Sequence, residues 1–171
     1  MKLGDRTQQN AQLVTKEGGW FIAQGRAFPQ NPEGLENARA ESSRHLVTLL
    51  RARGTAGFIA AALPAATVDG VAVDRVRIKN GGLDVTLNLD KKSGQVHSLA
   101  FTGRNMDAEI GDYTLVLSDY RDVNGLRLPF AERALFNGAP DDFMTRTIQS
   151  IEVNAQLDAA LFAPPPAAGG Q

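Results

Sequence analysis

The chain contains no cysteine. That single absence excludes disulfides, thiolate metal ligands, a cysteine nucleophile and a lipid-bearing cysteine, and leaves the redox compartment unreadable. Histidine is scarce as well. Only His45 and His97 could act as bases near neutral pH, and a metal site would need a third ligand that the sequence sets near neither. No charge sign dominates: 18 Lys and Arg stand against 19 Asp and Glu, for a formal net charge of -1. The two signs are mixed along the length, so the basic patch that nucleic acid or an anionic membrane surface would select is missing. No run approaches the roughly 18 apolar residues of a membrane span. The opening MKLGDRTQQN lacks the apolar centre of a signal peptide. Glycine-rich phosphate loops, nucleophile elbows and zinc signatures are also missing. These absences point away from an enzyme and away from any cofactor.

What is present fits one domain, since 171 residues bury a real core but seldom two. The expected organisation is a flexible or truncated start over 1–10, a single domain over 11–163, and a Pro/Ala/Gly tail over 164–171. AQLVT and WFIA flank KEGG, where two glycines permit the positive backbone angles of a hairpin. Asn31, Pro32 and Glu33 form a helix start. From there Leu35, Ala38, Ser42, Leu46, Leu49 and Leu50 recur on one helical face, which predicts a helix over about 32 to 53, stopped near Gly54.

Beyond Gly54 the pattern changes to period two with turn dipeptides. FIAAAL is ambiguous between helix and strand, and Gly57 and Pro64 favour strand. Turns at Asp69-Gly70, Asn80 to Gly82, Asp90 to Gly94, Asp122 to Gly125 and Asn137-Gly138 then join successive strands into an antiparallel meander. NAQLDAALF reads as a short helical turn pinned by Leu157, Leu161 and Phe162. In LDVTLNL the apolar Leu83, Val85, Leu87 and Leu89 alternate with Asp84, Thr86 and Asn88, one face buried and one wet. In VAVDRVRI the apolar parity slips between Val73 and Val76, which predicts a bulge near Asp74-Arg75. YTLVL is apolar on both faces. The fold class expected is α+β, mainly β: a curved antiparallel sheet, an open half-barrel, covered on its concave side by one main helix and loops. Such a sheet has more inner face than one helix fills.

Tyr120 to Gly125, then Leu126 to Phe130, then Ile151 to Asn154 with Leu157, Leu161 and Phe162 before a proline, resembles the closing half of bacterial outer-membrane lipoprotein-sorting domains. Val68-Asp69-Gly70, the Leu89 to Gly94 turn and the Gly19-Trp20 hairpin follow in the matching order, so the resemblance runs from about 11 to 164. It implies a helix-covered half-barrel in the periplasm whose apolar concavity holds an acyl chain, a lipid or a lipoprotein. The family usually begins with a helix and strands ahead of the first hairpin, so this chain is expected to be a fragment of that pattern. The lining expected is Leu46, Leu50, Phe58, Leu99, Phe101, Leu117, Leu128 and Phe130. The alternative is a structural or protein-interaction module of a larger envelope protein, with a filled core and no ligand.

The catalytic readings are weaker. Ser42 and His45 on one helix invite a nucleophile and base, yet a partly solvated polar edge is much the better reading. His97 reads as an exposed strand position, and Asp90 and the Asp141-Asp142 pair read as turn chemistry. Trp20, Phe101 and Phe130 are core aromatics before they are ligand contacts.

Overall fold

The computed structural model describes residues 2–3, 6–7, 10–24, 26–105 and 107–163, with the side chains of 2, 3, 6, 7, 10 and 142–144 left aside. The expected tail over 164–171 lies outside these residues, as does part of the expected flexible start. The chain forms two compact units, one from the segments before Ala52 and after Ala155, the other Ala52–Ala155.

In the first unit, β1 (Lys2–Leu3) pairs with β2 (Arg6–Thr7), and β3 (Asn10–Val14), β4 (Gly19–Ala23) and β5 (Arg26–Pro29) form a three-stranded antiparallel sheet. The hairpin sits where expected, but neither Gly18 nor Gly19 has a positive φ. Their smallness matters instead. A Cβ on Gly19 would stand 2.8 Å from both Gln30 Oε1 and Leu35 Cδ1. The turn is held by Thr15, whose hydroxyl accepts from the Glu17 and Gly18 amides. Asn31 caps α1 (Pro32–Arg44), accepting from the Gly34 amide at 2.7 Å.

The expected single helix to residue 53 is two: α1 ends at Arg44, capped by His45, whose ψ of 129° is extended, and α2 (Leu46–Arg51) restarts after it. Two consecutive serines lie just before the break, Ser42 donating to the Ala38 carbonyl at 2.9 Å and Ser43 to that of Arg39 at 2.8 Å. Back-bonding of this kind bends helices. Asp158 caps a 3₁₀ turn, η1 (Ala159–Phe162). Leu157, Leu161 and Phe162 do not pin it down, being 61%, 63% and 51% exposed.

The second unit is a meander of β6 (Ile59–Val68), β7 (Val71–Asn80), β8 (Leu83–Asp90), β9 (Val96–Arg104), β10 (Ile110–Val123), β11 (Leu126–Phe136) and β12 (Ala139–Thr147). Its spatial order is the sequence order reversed, β12 to β6, all antiparallel. Thus FIAAAL is extended, and the turn dipeptides act as expected. Asp69-Gly70, Asn124-Gly125 and Asn137-Gly138 each carry two consecutive positive φ angles, from 48° to 82°, the signature of two-residue hairpins.

Cross-strand register defines the faces. One carries the rows Ala62, Val76, Leu87, Leu99, Leu115, Ala134 and Ile78, Val85, then Phe101, Tyr113, Phe136. The other carries Arg75, Asn88, Ser98, Val116 and Arg133 in one row. Flat strands stand about 4.8 Å apart, so β7 and β11, four spacings apart, would lie roughly 19 Å from each other. Yet Arg133 Nη2 on β11 meets Asp69 Oδ2, in the β6–β7 turn, at 2.5 Å. The sheet therefore curls, an open antiparallel half-barrel, with the end of the β6–β7 hairpin folded over the Arg133 face.

This curl explains two departures. The expected bulge in β7 lies in its partner, where Pro64 and Ala65 of β6 stand against Asp74 while β7 and β8 keep regular register. The parity slip arose because Val73, fully buried, belongs to the Arg133 face rather than the Val76 face. Asn88, expected on the wet side, is only 2% exposed. Its side-chain amide nitrogen donates to Ser98 Oγ at 2.9 Å, while its Oδ1 is buried with no hydrogen-bond partner. Val116 and Leu117, on opposite faces of YTLVL, are both buried.

Candidate functional site

Of the residues expected to line a pocket, Leu99, Phe101 and Leu117 share the apolar face, and alternation from Ala134 along β11 brings Phe130 and Leu128 to the same side. Leu99, Leu117, Leu128 and Phe130 are buried and Phe101 is half-buried. Phe58, half-buried, precedes β6. Leu46 and Leu50 belong to α2 in the other unit, where Leu49 is buried and Leu50 is 51% exposed.

The apolar face carries an aromatic column. Phe101 stacks on Tyr113 with centroids 5.4 Å apart, and Phe136 tilts against Tyr113 at 4.9 Å. The Tyr113 hydroxyl donates to Asp141 Oδ2 at 3.0 Å, so Asp141, expected in a turn, is a strand residue of β12 that anchors the column. Trp20, on β4, is half-buried.

A small cleft of about 320 Å³ opens beside this face, lined among others by Asp90, His97, Leu117, Asp119, Tyr120 and Arg127. The Tyr120 hydroxyl spans it, donating to the Val96 carbonyl at 2.5 Å. His97 corrects the sequence reading: it is half-buried rather than exposed, and its Nε2 is buried with no hydrogen-bond partner. It is the extra residue of β9 where the register with β8 shifts between Asn88 and Leu89, a position that nothing in VHSLAF signals. Asp90 caps the turn as expected, accepting from the Lys92 amide at 2.7 Å, and that bond holds its carboxyl below the usual range. Asp119 is likewise held low by its two hydrogen bonds from Arg121. The Arg121 guanidinium then lies 4.4 Å over the Phe130 ring, a cation on an aromatic face. Sequence reasoning missed this group because Asp119 adopts a φ of 51° that no turn motif announces.

Chemistry is sparse. Ser42 is committed to the Ala38 carbonyl and gives His45 no nucleophile to activate. Among the described residues no group of three or more His, Asp or Glu could hold a metal ion, and no helix is long and apolar enough to cross a membrane.

Burial gives a pH signature. The protein's two tyrosines, Tyr113 and Tyr120, are both pushed up to about 12: by burial and then the Asp141 hydrogen bond for Tyr113, and by burial for Tyr120. The folded state thus retains protons that the unfolded chain releases near 10, so stability is intact below pH 10 and falls as pH rises towards 12. A spectrophotometric titration should show no phenolate step in the native protein at pH 10.5 to 11, where the denatured chain is mostly ionised; a native midpoint near 10 would mean that both hydroxyls are solvated.

No protein-family model and no curated protein matches the chain. Among solved structures, it is similar to the crystal structure of an outer membrane lipoprotein-sorting protein domain from Vibrio parahaemolyticus. The likeness has 12% identity and a TM-score of 0.41, and it covers 80% of this chain and 62% of the Vibrio chain. The protein thus spans less than two thirds of its neighbour's length, and at this identity and score the neighbour's role does not pass to it.

Proposed function

We propose that the half-barrel binds a hydrophobic ligand, an acyl chain, a lipid or an acylated protein, against its apolar face, as a carrier or receptor and not as a catalyst. One observation supports this above the others, the breadth of the face. Ala62, Val76, Leu87, Leu99, Leu115 and Ala134 continue one apolar row across six strands, in a unit whose described residues include no helix. Within that row Ala62 is exposed and Val76 and Leu115 are only half-buried, so a ligand can supply cover there that the chain does not. The periplasmic setting and an envelope protein as partner rest on the sequence resemblance over Tyr120 to Phe130 and Ile151 to Phe162.

The competing reading is a structural or interaction module with a filled core. In its favour, Leu99, Leu117 and Phe130 are no more than 5% exposed, as a sealed core requires. An apolar fluorescent probe, titrated against the purified protein, separates the two. Saturable binding that an excess of fatty acid displaces, weakened at least several-fold by Phe101→Ala in a variant with native circular dichroism, is the expected outcome. No saturable binding, together with no lipid in an organic extract of the purified protein, would leave the filled core as the answer.

A further inference from the structure

Natural sheets protect their outer strands with charges, prolines or bulges, because an unpaired row of N–H and C=O groups recruits other chains. The two outer strands here differ in that respect. β12 carries Pro140, Asp141 and Arg146, and its register with β11 is interrupted between Glu132 and Ala134. β6, IAAALPAATV, has no charged residue. Pro64 and the bulge beside it disrupt only its second half, leaving Ile59 to Leu63 regularly paired to β7 from Lys79 to Arg75. Along that half Ile59 is 60% exposed, and Ala60, Ala61 and Ala62 are exposed too. Among the described residues, no backbone hydrogen bond joins Ile59 to Leu63 to any segment beyond the β6–β7 ladder.

We infer that Ile59 to Leu63 is a docking edge, and that its occupant is a second copy of this chain, paired antiparallel about a two-fold axis at Ala61. The edge is self-complementary, as an isologous contact requires. An axis at Ala61 sets Ile59 opposite Leu63 of the partner subunit, Ala60 opposite Ala62 and Ala61 opposite itself, apolar against apolar at every position. Like charges directly opposite would destabilise such a ladder, and there are none. Alanine side chains let two edges approach without steric conflict. Ala60 and Ala62 also share a face with Ile78 and Val76, so the pairing joins the apolar faces of two sheets into one surface. The arrangement closes at two copies. The contact is isologous, and β12, at the other end of this sheet, is interrupted and charged and does not match it. A ladder of five residues is small for an interface, which makes the association reversible and dependent on concentration.

Sedimentation equilibrium across a micromolar to millimolar series tests this. The wild-type mass should rise from 18.3 kDa towards twice that value. Ala61→Lys and Ala61→Glu, each checked for native circular dichroism, place like charges against each other at the axis and should each stay monomeric, while an equimolar mixture of the two should associate again. Position 61 is exposed, so folding should tolerate either charge, and the mixture distinguishes lost pairing from lost structure. A wild-type protein monomeric at every concentration overturns the inference, as does a dimer that survives Ala61→Lys. So does an edge that stays monomeric while binding extended peptides of unrelated sequence.

Discussion

Leu99→Ala should lower the stability of the fold by about 2 to 5 kcal/mol, the range for deleting a sealed leucine. Leu99 lies at the middle of the widest apolar row, between Leu87 on β8 and Leu115 on β10, and is only 2% exposed. Truncation removes contacts to both neighbouring strands. The curled ladder on either side resists collapse into the gap, which places the cost in the upper half of that range. Urea unfolding, with the midpoint falling and the slope unchanged, is the measurement. Leu126→Ala, at a position 44% exposed beside the Asn124-Gly125 turn, is the control and should stay within about 0.5 kcal/mol. A nearly neutral Leu99→Ala would mean that Leu99 is not packed as its burial indicates.

Gly111→Ala should be destabilising by about 1 to 3 kcal/mol, the cost typical of overpacking, although it only adds a methyl group. Gly111 pairs with Gly103 across β9 and β10, and this bare patch of backbone is where the aromatic column closes. A Cβ at position 111 would sit against the tip of Phe136, 2.6 Å from its Cε2, and 2.7 Å from Asn137 Oδ1. Neither neighbour yields easily. Phe136 is braced by Tyr113, and Asn137 is tied to Asp112 by two hydrogen bonds, at 2.8 and 2.9 Å. Gly111 has no positive φ, so the penalty is steric and not conformational. It should therefore be relieved by making room. The double variant with Phe136→Leu should recover part of the loss, a departure from additivity expected of residues in contact. If Phe136→Leu simply adds its own cost, the ring is not what excludes the methyl group.

The parts of the fold that were legible in the sequence are those set by local rules. Asn124-Gly125 must turn because few other pairs tolerate two positive φ angles in succession, so the hairpins, and with them the strand order, could be read without knowledge of the rest of the chain. The parts that were not legible depend on what the sheet does after pairing. Nothing in LDVTLNL reveals that Asn88 is enclosed, because its burial follows from the curl that brings Asp69 to Arg133. Val73 looked like evidence of a bulge when it was evidence of a second buried face. Of the candidate site, the apolar lining could be anticipated because alternation puts Leu99 and Phe101 on one side. The cleft at His97 and the Asp119, Arg121, Phe130 group could not, since each depends on a local backbone irregularity in the middle of a strand.

The order of the seven-stranded sheet has a kinetic consequence. Every strand from β6 to β12 lies beside its neighbour in sequence, so each ladder forms by closing a short turn, never by searching for a distant partner. All-β domains are usually slow folders because the entropy of long loops is lost before distant contacts form. This sheet avoids the longest of those closures, since its neighbouring strands are joined by short connections. It can grow by adding one hairpin arm at a time.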